Sequence, residues 1–220
     1  MLDQPTARLW QRYVAAESAQ FRPAAMAALD EFITSLHALE ESTWHPWARE
    51  FAGETAEGRQ RVPVPVRAPL FDRVLLPALA DAVLRGVPAS ARTLAFFETL
   101  LVGRELLPEH LRTPRQLLRE ALRVDPADDL ARGRLAERLA RDLDYALHEL
   151  PAGVLWDANS ASASQCEELL ADLNELSALE TDVRSAEWFA HAEIHFKSYR
   201  EWLLSDRTAG SYERFLKTRP

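Results

Sequence analysis

Residues 113–150, TPRQLLREALRVDPADDLARGRLAERLARDLDYALHEL, decide the fold class. Thr113-Pro-Arg-Gln116 has the form of a capping box: the threonine hydroxyl can accept a backbone N–H in the first turn while the glutamine reaches back to the cap. Pro114 stands at the first helical position, where its missing N–H costs nothing. The spacing of Leu117, Leu118, Ala121 and Leu122 then predicts a helix. Asp125-Pro-Ala-Asp128 starts the next one, in which Leu130, Leu135, Leu139, Leu143 and Leu147 recur at helical steps until Pro151 and Gly153 stop it. Successive capped, amphipathic segments joined by short turns belong to an all-α fold.

The same pattern extends outward. Downstream, Ser164-Gln-Cys-Glu167 reads as a further capping box, launching Leu169, Leu170, Leu173, Leu176 and Leu179. A helix carrying Trp188, Ala192, Phe196, Tyr199 and Leu203 follows, then a short one with Tyr212, Phe215 and Leu216. Upstream, helices are predicted near 6–19, 24–41, 70–85 and 89–106, with Gly86 as a C-cap and a broken aromatic segment at Trp44-His-Pro-Trp47. Arg61-Val-Pro-Val-Pro-Val-Arg67 alternates proline with valine and cannot be helical, so it is expected to cross the surface in extended form. The expected architecture is a single compact all-α domain, 1–220, of about eight antiparallel helices; possible sub-units are 1–58 and 70–220, joined by 59–69. Leu117–Pro126, LLREALRVDP, resembles the end of a tetratricopeptide unit, which implies a helical-hairpin shape for that segment. No second copy follows at the period of about 34 residues.

Composition narrows the function classes. Of 220 residues, 47% are hydrophobic, yet isoleucine occurs only at Ile33 and Ile194, so helix formers far outweigh strand formers. No stretch approaches the roughly 18 uninterrupted apolar residues that span a bilayer, so no membrane partner is expected. Cys166 is the lone cysteine, and the opening Met-Leu-Asp-Gln-Pro-Thr lacks the features of a secretory signal. Together these predict a cytoplasmic protein. The 26 bases are outnumbered by 34 acids, for a net charge of −8, which argues against a polyanionic partner such as nucleic acid.

Charge is also segregated. From Asp142 to Asp182 there are ten acids and no Lys or Arg. Glu168, Asp172, Glu175 and Asp182 recur at helical steps as an acidic stripe, while Arg115, Arg119 and Arg123, then Arg134, Arg138 and Arg141, form basic stripes. Opposite stripes can neutralise each other within the fold, or the acidic one can stay exposed and dock a basic partner through complementary potential. Trp44 and Trp47 are candidates for a partner anchor, or alternatively for the plug at the end of a helical core. The leading functional expectation is a noncatalytic protein-binding protein without a cofactor. One specific form is an immunity-type inhibitor that covers a basic toxin domain.

A different chemistry is offered by Glu187, His191 and His195, which follow one another at four-residue steps. Imidazoles at i and i+4 can share a metal. The order His-Ala-Glu-Ile-His is not that of zinc proteases, and no Glu-x-x-His suited to di-iron bundles occurs. The pair is similar to the His-x-x-x-His of DinB-like four-helix metal bundles, and that resemblance implies a third ligand, for which His37 and His148 are the candidates. A metal-dependent helical-bundle enzyme is therefore the alternative, and a helical adaptor or homodimer a further one. Cys166, flanked by Glu167 and Glu168, is a poor nucleophile. Gly-x-Ser-x-Gly and phosphate-binding glycine loops are absent.

Overall fold

The N-terminal helix α1 (Gln4–Ser18) opens on Asp3, whose carboxylate accepts the Thr6 N–H at 3.0 Å, with Pro5 in the first turn. In the computed structural model, which describes residues 2–60, 62–150, 162–179, 181–205 and 212–218, helix accounts for 77% of the described residues. Eleven helices and no strand are present among the described residues. None of these helices is long and apolar enough to cross a membrane. The chain falls into two compact units, Met1–Ala131 and Arg132–Pro220. The segment 59–69 lies inside the first of these, and the division falls in the first turn of the long helix that begins at Asp129.

In the first unit, α1 packs along α2 (Arg22–His37), and α3 (Glu41–Ala56) contacts the next two helices. Trp10 on α1 meets Phe32 on α2 and Trp47 and Phe51 on α3, with ring centroids 5.0–5.1 Å apart. Trp44-His-Pro-Trp47 is not a break, as the sequence suggested: Pro46 sits inside α3. Proline there forfeits one main-chain bond near the helix start, and burial of Trp44 and ring contacts of Trp47 on the same turns offset that loss. Gly58, with φ +66°, closes α3.

The extended 62–67 stretch crosses as expected. Gln60 fixes it by accepting the Val64 N–H at 3.1 Å, and the fully buried Tyr13 donates its hydroxyl to the Pro65 carbonyl at 3.1 Å. Arg67 then forks onto Glu17 at 2.8 and 2.9 Å. The Arg67 hydrogen bonds hold the Glu17 carboxyl below its ordinary range despite burial, and burial pushes the Tyr13 phenol well above its own.

The next helix, α4 (68–84), contains a π turn at Phe71–Leu75. There the Leu76 N–H reaches back to the Phe71 carbonyl, and Pro77 has no N–H to offer. The Arg73 carbonyl, four residues before Pro77, instead meets His37 Nε2 at 2.9 Å. Because a carbonyl only accepts, that nitrogen carries the hydrogen. Gly86, with φ +67°, ends α4 in a Schellman motif: Gly86 N–H bonds the Val83 carbonyl and Val87 N–H the Ala82 carbonyl.

The helix expected over 89–106 is instead α5 (Ser90–Phe96) and α6 (Glu98–Leu101). It breaks where Phe97 turns inward, its ring 5.6 Å from Phe71, and it stops at Gly103, whose φ of +76° no helix continues. A 3₁₀ turn at Glu109–Leu111 leads to α7 (Pro114–Val124), where both bonds of the Thr113/Gln116 capping box are made. Arg92 on α5 is buried with Asp128 at 2.9 Å and Glu57 at 3.3 Å. Asp128 also accepts the Ala131 N–H at 2.9 Å, capping α8 (Asp129–Glu149).

In the second unit, α9 (Ala163–Ala178) packs on α10 (Ala186–Leu204), and α11 (Tyr212–Thr218) rests on α10. The cap of α9 is Ser162 with Gln165, two residues before the expected one. The helix buries Cys166, Leu169, Leu173 and Leu176 on one face. It leaves Glu167 free to accept the Arg200 guanidinium at 2.7 Å.

Candidate functional site

The acidic run of the second unit is divided between internal pairing and open surface. Asp144 on α8 accepts the Trp188 indole N–H at 2.9 Å and the Arg184 guanidinium, which also lies over the Trp188 ring. Glu167 takes Arg200. Both cations come from outside the acid-only stretch. On α9, Asp172 and Glu175 are half-buried and engaged in interactions, whereas Glu168 is exposed. Asp182 is exposed too, but it lies beyond the end of α9, in the turn before α10, and is not on the helical stripe that the spacing suggested. The helix stops after Ala178 with the Leu179 N–H satisfied by the Glu175 and Leu176 carbonyls. Glu168 and Asp182 make no ion pair with any described residue. The basic residues Arg115, Arg119, Arg134 and Arg138 are all engaged, and Arg123 forks onto Glu120 at 2.7 Å.

His191 and His195 stand together on α10, ring centroids 4.3 Å apart and planes inclined at 56°. His191 is exposed and His195 half-buried. Glu187 lies in the first turn of α10, where a hydrogen bond from Ser185 lowers its carboxyl below the usual range. No group of three or more His, Cys, Asp or Glu arranged to hold a metal occurs among the described residues. His37 belongs to the first unit, with its Nε2 on the Arg73 carbonyl, and His148 contacts Glu149 at 3.0 Å. Cys166 is buried, and burial pushes its thiol up to about 11, the wrong direction for a nucleophile.

His195 couples this helix to α11. Tyr212, itself buried, donates its hydroxyl to the His195 carbonyl at 3.2 Å and stands edge-on to Tyr199. Burial and the adjacent His191 both lower the His195 pKa, so the folded chain prefers the neutral ring. A depressed folded value means that this contribution is fully present above the ordinary histidine value of about 6.5 and lost as pH falls through the lower folded one. We expect the thermal midpoint of the wild type to drop between pH 7.5 and 5.5, and His195→Gln to shrink that drop. An unchanged pH dependence in the variant would remove His195 as its source.

Trp44 and Trp47 pack within the first unit. Trp44 is 4% exposed, with its ring against His37 and His45. Trp47 is half-buried and stacks on Phe51 with planes at 14°. Trp44 therefore sits as a core plug, covered by the chain's own side chains, while Trp47 keeps part of its ring open.

One concave feature had no counterpart among the residues singled out from the sequence. A groove of about 560 Å³ opens between α1, α3 and the 62–64 stretch, bordered by Trp10, Val14, Phe51, Glu54, Val62 and Val64. A beginning signal lay in the aromatic positions of α1 and α3, but their convergence depends on the crossing of the extended segment over both helices. The chain matches no protein-family model, no curated protein and no solved structure.

Proposed function

We propose that the protein is a noncatalytic, cytoplasmic binding protein whose acidic second unit docks a basic protein partner, as an immunity-type inhibitor would cover a cationic cleft. The observation that carries this reading is the survival of unpaired charge: Glu168 and Asp182 are exposed and make no ion pair with a described residue, within a 142–182 run holding ten acids and no Lys or Arg. Asp172 and Glu175 flank Glu168 on α9 and add to the local potential even while engaged. Charge of one sign concentrated on one helix accelerates encounter with an opposite surface and disfavours nucleic acid.

The test uses Glu168→Lys/Asp182→Lys, two exposed positions whose reversal leaves the core untouched. At low salt, wild-type protein should retain a basic protein from its own cell lysate, identified by mass spectrometry. With that partner purified, the folded double variant should bind more than about tenfold more weakly, and added salt should weaken the wild type similarly. Equal binding by the two proteins would overturn the reading. The nearness of the His191 and His195 rings supports a second reading, transition-metal binding, for which stoichiometric zinc or nickel in untagged protein, lost in His191→Ala, is the expected sign.

A further inference from the structure

We propose that the groove of the first unit binds a small organic cation with an aromatic or apolar body, independently of the acidic face on the second unit. Its base is aromatic: Trp10 and Phe51 meet at 5.0 Å in a T-shaped pair. Trp10 touches four rings in all yet remains half-buried, so part of the indole stays open to the groove it borders. Val62, 51% exposed, and Val64 form the opposite border. That border is preformed, because Gln60 holds the Val64 N–H and Tyr13 holds the Pro65 carbonyl. A volume near 560 Å³ lies within the range of small-molecule sites, and an apolar lining with few polar groups is their usual composition.

Glu54 sets the sign of the ligand. It borders the groove half-buried, and its carboxylate takes no ion pair or hydrogen bond from any described residue. Among the described residues, three nearby guanidiniums are committed elsewhere: Arg12 to Glu31 at 2.7 Å, Arg59 to Glu57 at 2.7 Å, and Arg67 to Glu17 at 2.8 Å. Glu54 also borders the neighbouring cleft, whose lining includes Arg49 and Arg59, but neither arginine lines this groove or forms an ion pair with Glu54. A carboxylate without a direct partner among the described residues, in a groove that an indole also borders, favours an ammonium twice, through direct charge attraction and through the negative face of the ring. An anion of the same shape meets the opposite field.

Three probes of one shape separate these contributions: 2-naphthylmethylammonium, the neutral 2-naphthylmethanol and the anionic 2-naphthoate, each titrated calorimetrically and by NMR into the full chain. The ammonium should bind at one site, roughly tenfold more tightly than the alcohol, with the carboxylate weakest. Glu54→Gln should bring ammonium and alcohol together, and Val62→Lys, which places a rival cation at an exposed border position, should abolish the ammonium preference while the circular dichroism stays unchanged. The proposal is overturned if wild type binds ammonium and alcohol equally, if no probe binds at millimolar concentration, or if the preference survives in both folded variants.

Discussion

Replacing Arg92 with alanine is expected to destabilise the first unit by about 3–5 kcal/mol, the range for removing one member of a buried ion pair. Its guanidinium is 7% exposed and faces Asp128, 8% exposed, and Glu57, 24% exposed. Burial pushes the Glu57 carboxyl up, but hydrogen bonds from Arg59 and Arg92 outweigh it and hold the group ionised, below its ordinary range. Without Arg92, Asp128 keeps a buried charge with nothing to answer it except the α8 cap. Arg92→Ala/Glu57→Gln/Asp128→Asn should recover much of the loss, because no charge is then stranded and an amide at 128 can still cap. Urea unfolding of the wild type and the two variants measures this; a single-variant loss below about 1 kcal/mol would show that water or rearrangement satisfies the carboxylates instead.

Phe32→Ala should cost a similar amount, about 3–5 kcal/mol, by a different route. Phe32 is fully buried, and its ring lies 5.1 Å from Trp10 and 5.3 Å from Trp47. Truncation removes transfer energy and opens a cavity between two large indoles that are held by their own neighbours and cannot collapse into it. Phe32→Leu keeps most of the volume and should cost less than half as much. Near-ultraviolet circular dichroism, recorded alongside the unfolding curves, should lose intensity in the alanine variant as the tryptophan environment loosens. An intact aromatic spectrum together with a small loss would place the weight of the core elsewhere.

These two sites differ in how readable they are from the chain. Phe32 lies on a helix with apolar periodicity, and its burial follows from Leu29, Ile33 and Leu36 beside it. Thr113 with Gln116, and Gly86 after Leu84, were equally plain because caps are local chemistry that depends on residues a few positions apart. Where two local signals competed, periodicity could not choose. Ser162 and Ser164 both stand three residues before a Gln or Glu; the Ser162/Gln165 box is the one made, and Glu167, which the later box would need, is turned to Arg200. Pro46 misled because its cost is local while the burial that offsets it comes from other helices. The groove draws on residues as far apart as Trp10 and Val64, the Arg92 cluster on Glu57 and Asp128, and the lack of a described partner for the Glu54 carboxylate is a property of space alone.

The π turn of α4 sets an expectation for any related chain. One extra residue sits between Phe71 and Leu76 compared with an unbroken α-helix, so the faces before and after it are out of phase by about 100°. His37 answers the carbonyl at Arg73 that Pro77 leaves without a donor. In related chains these three features should travel together: a homologue with a residue other than proline at the position of Pro77 should carry a one-residue deletion within 71–75 and no requirement for histidine at the end of α2. An alignment gap there marks helical phase, with both flanking faces still turned to the same core.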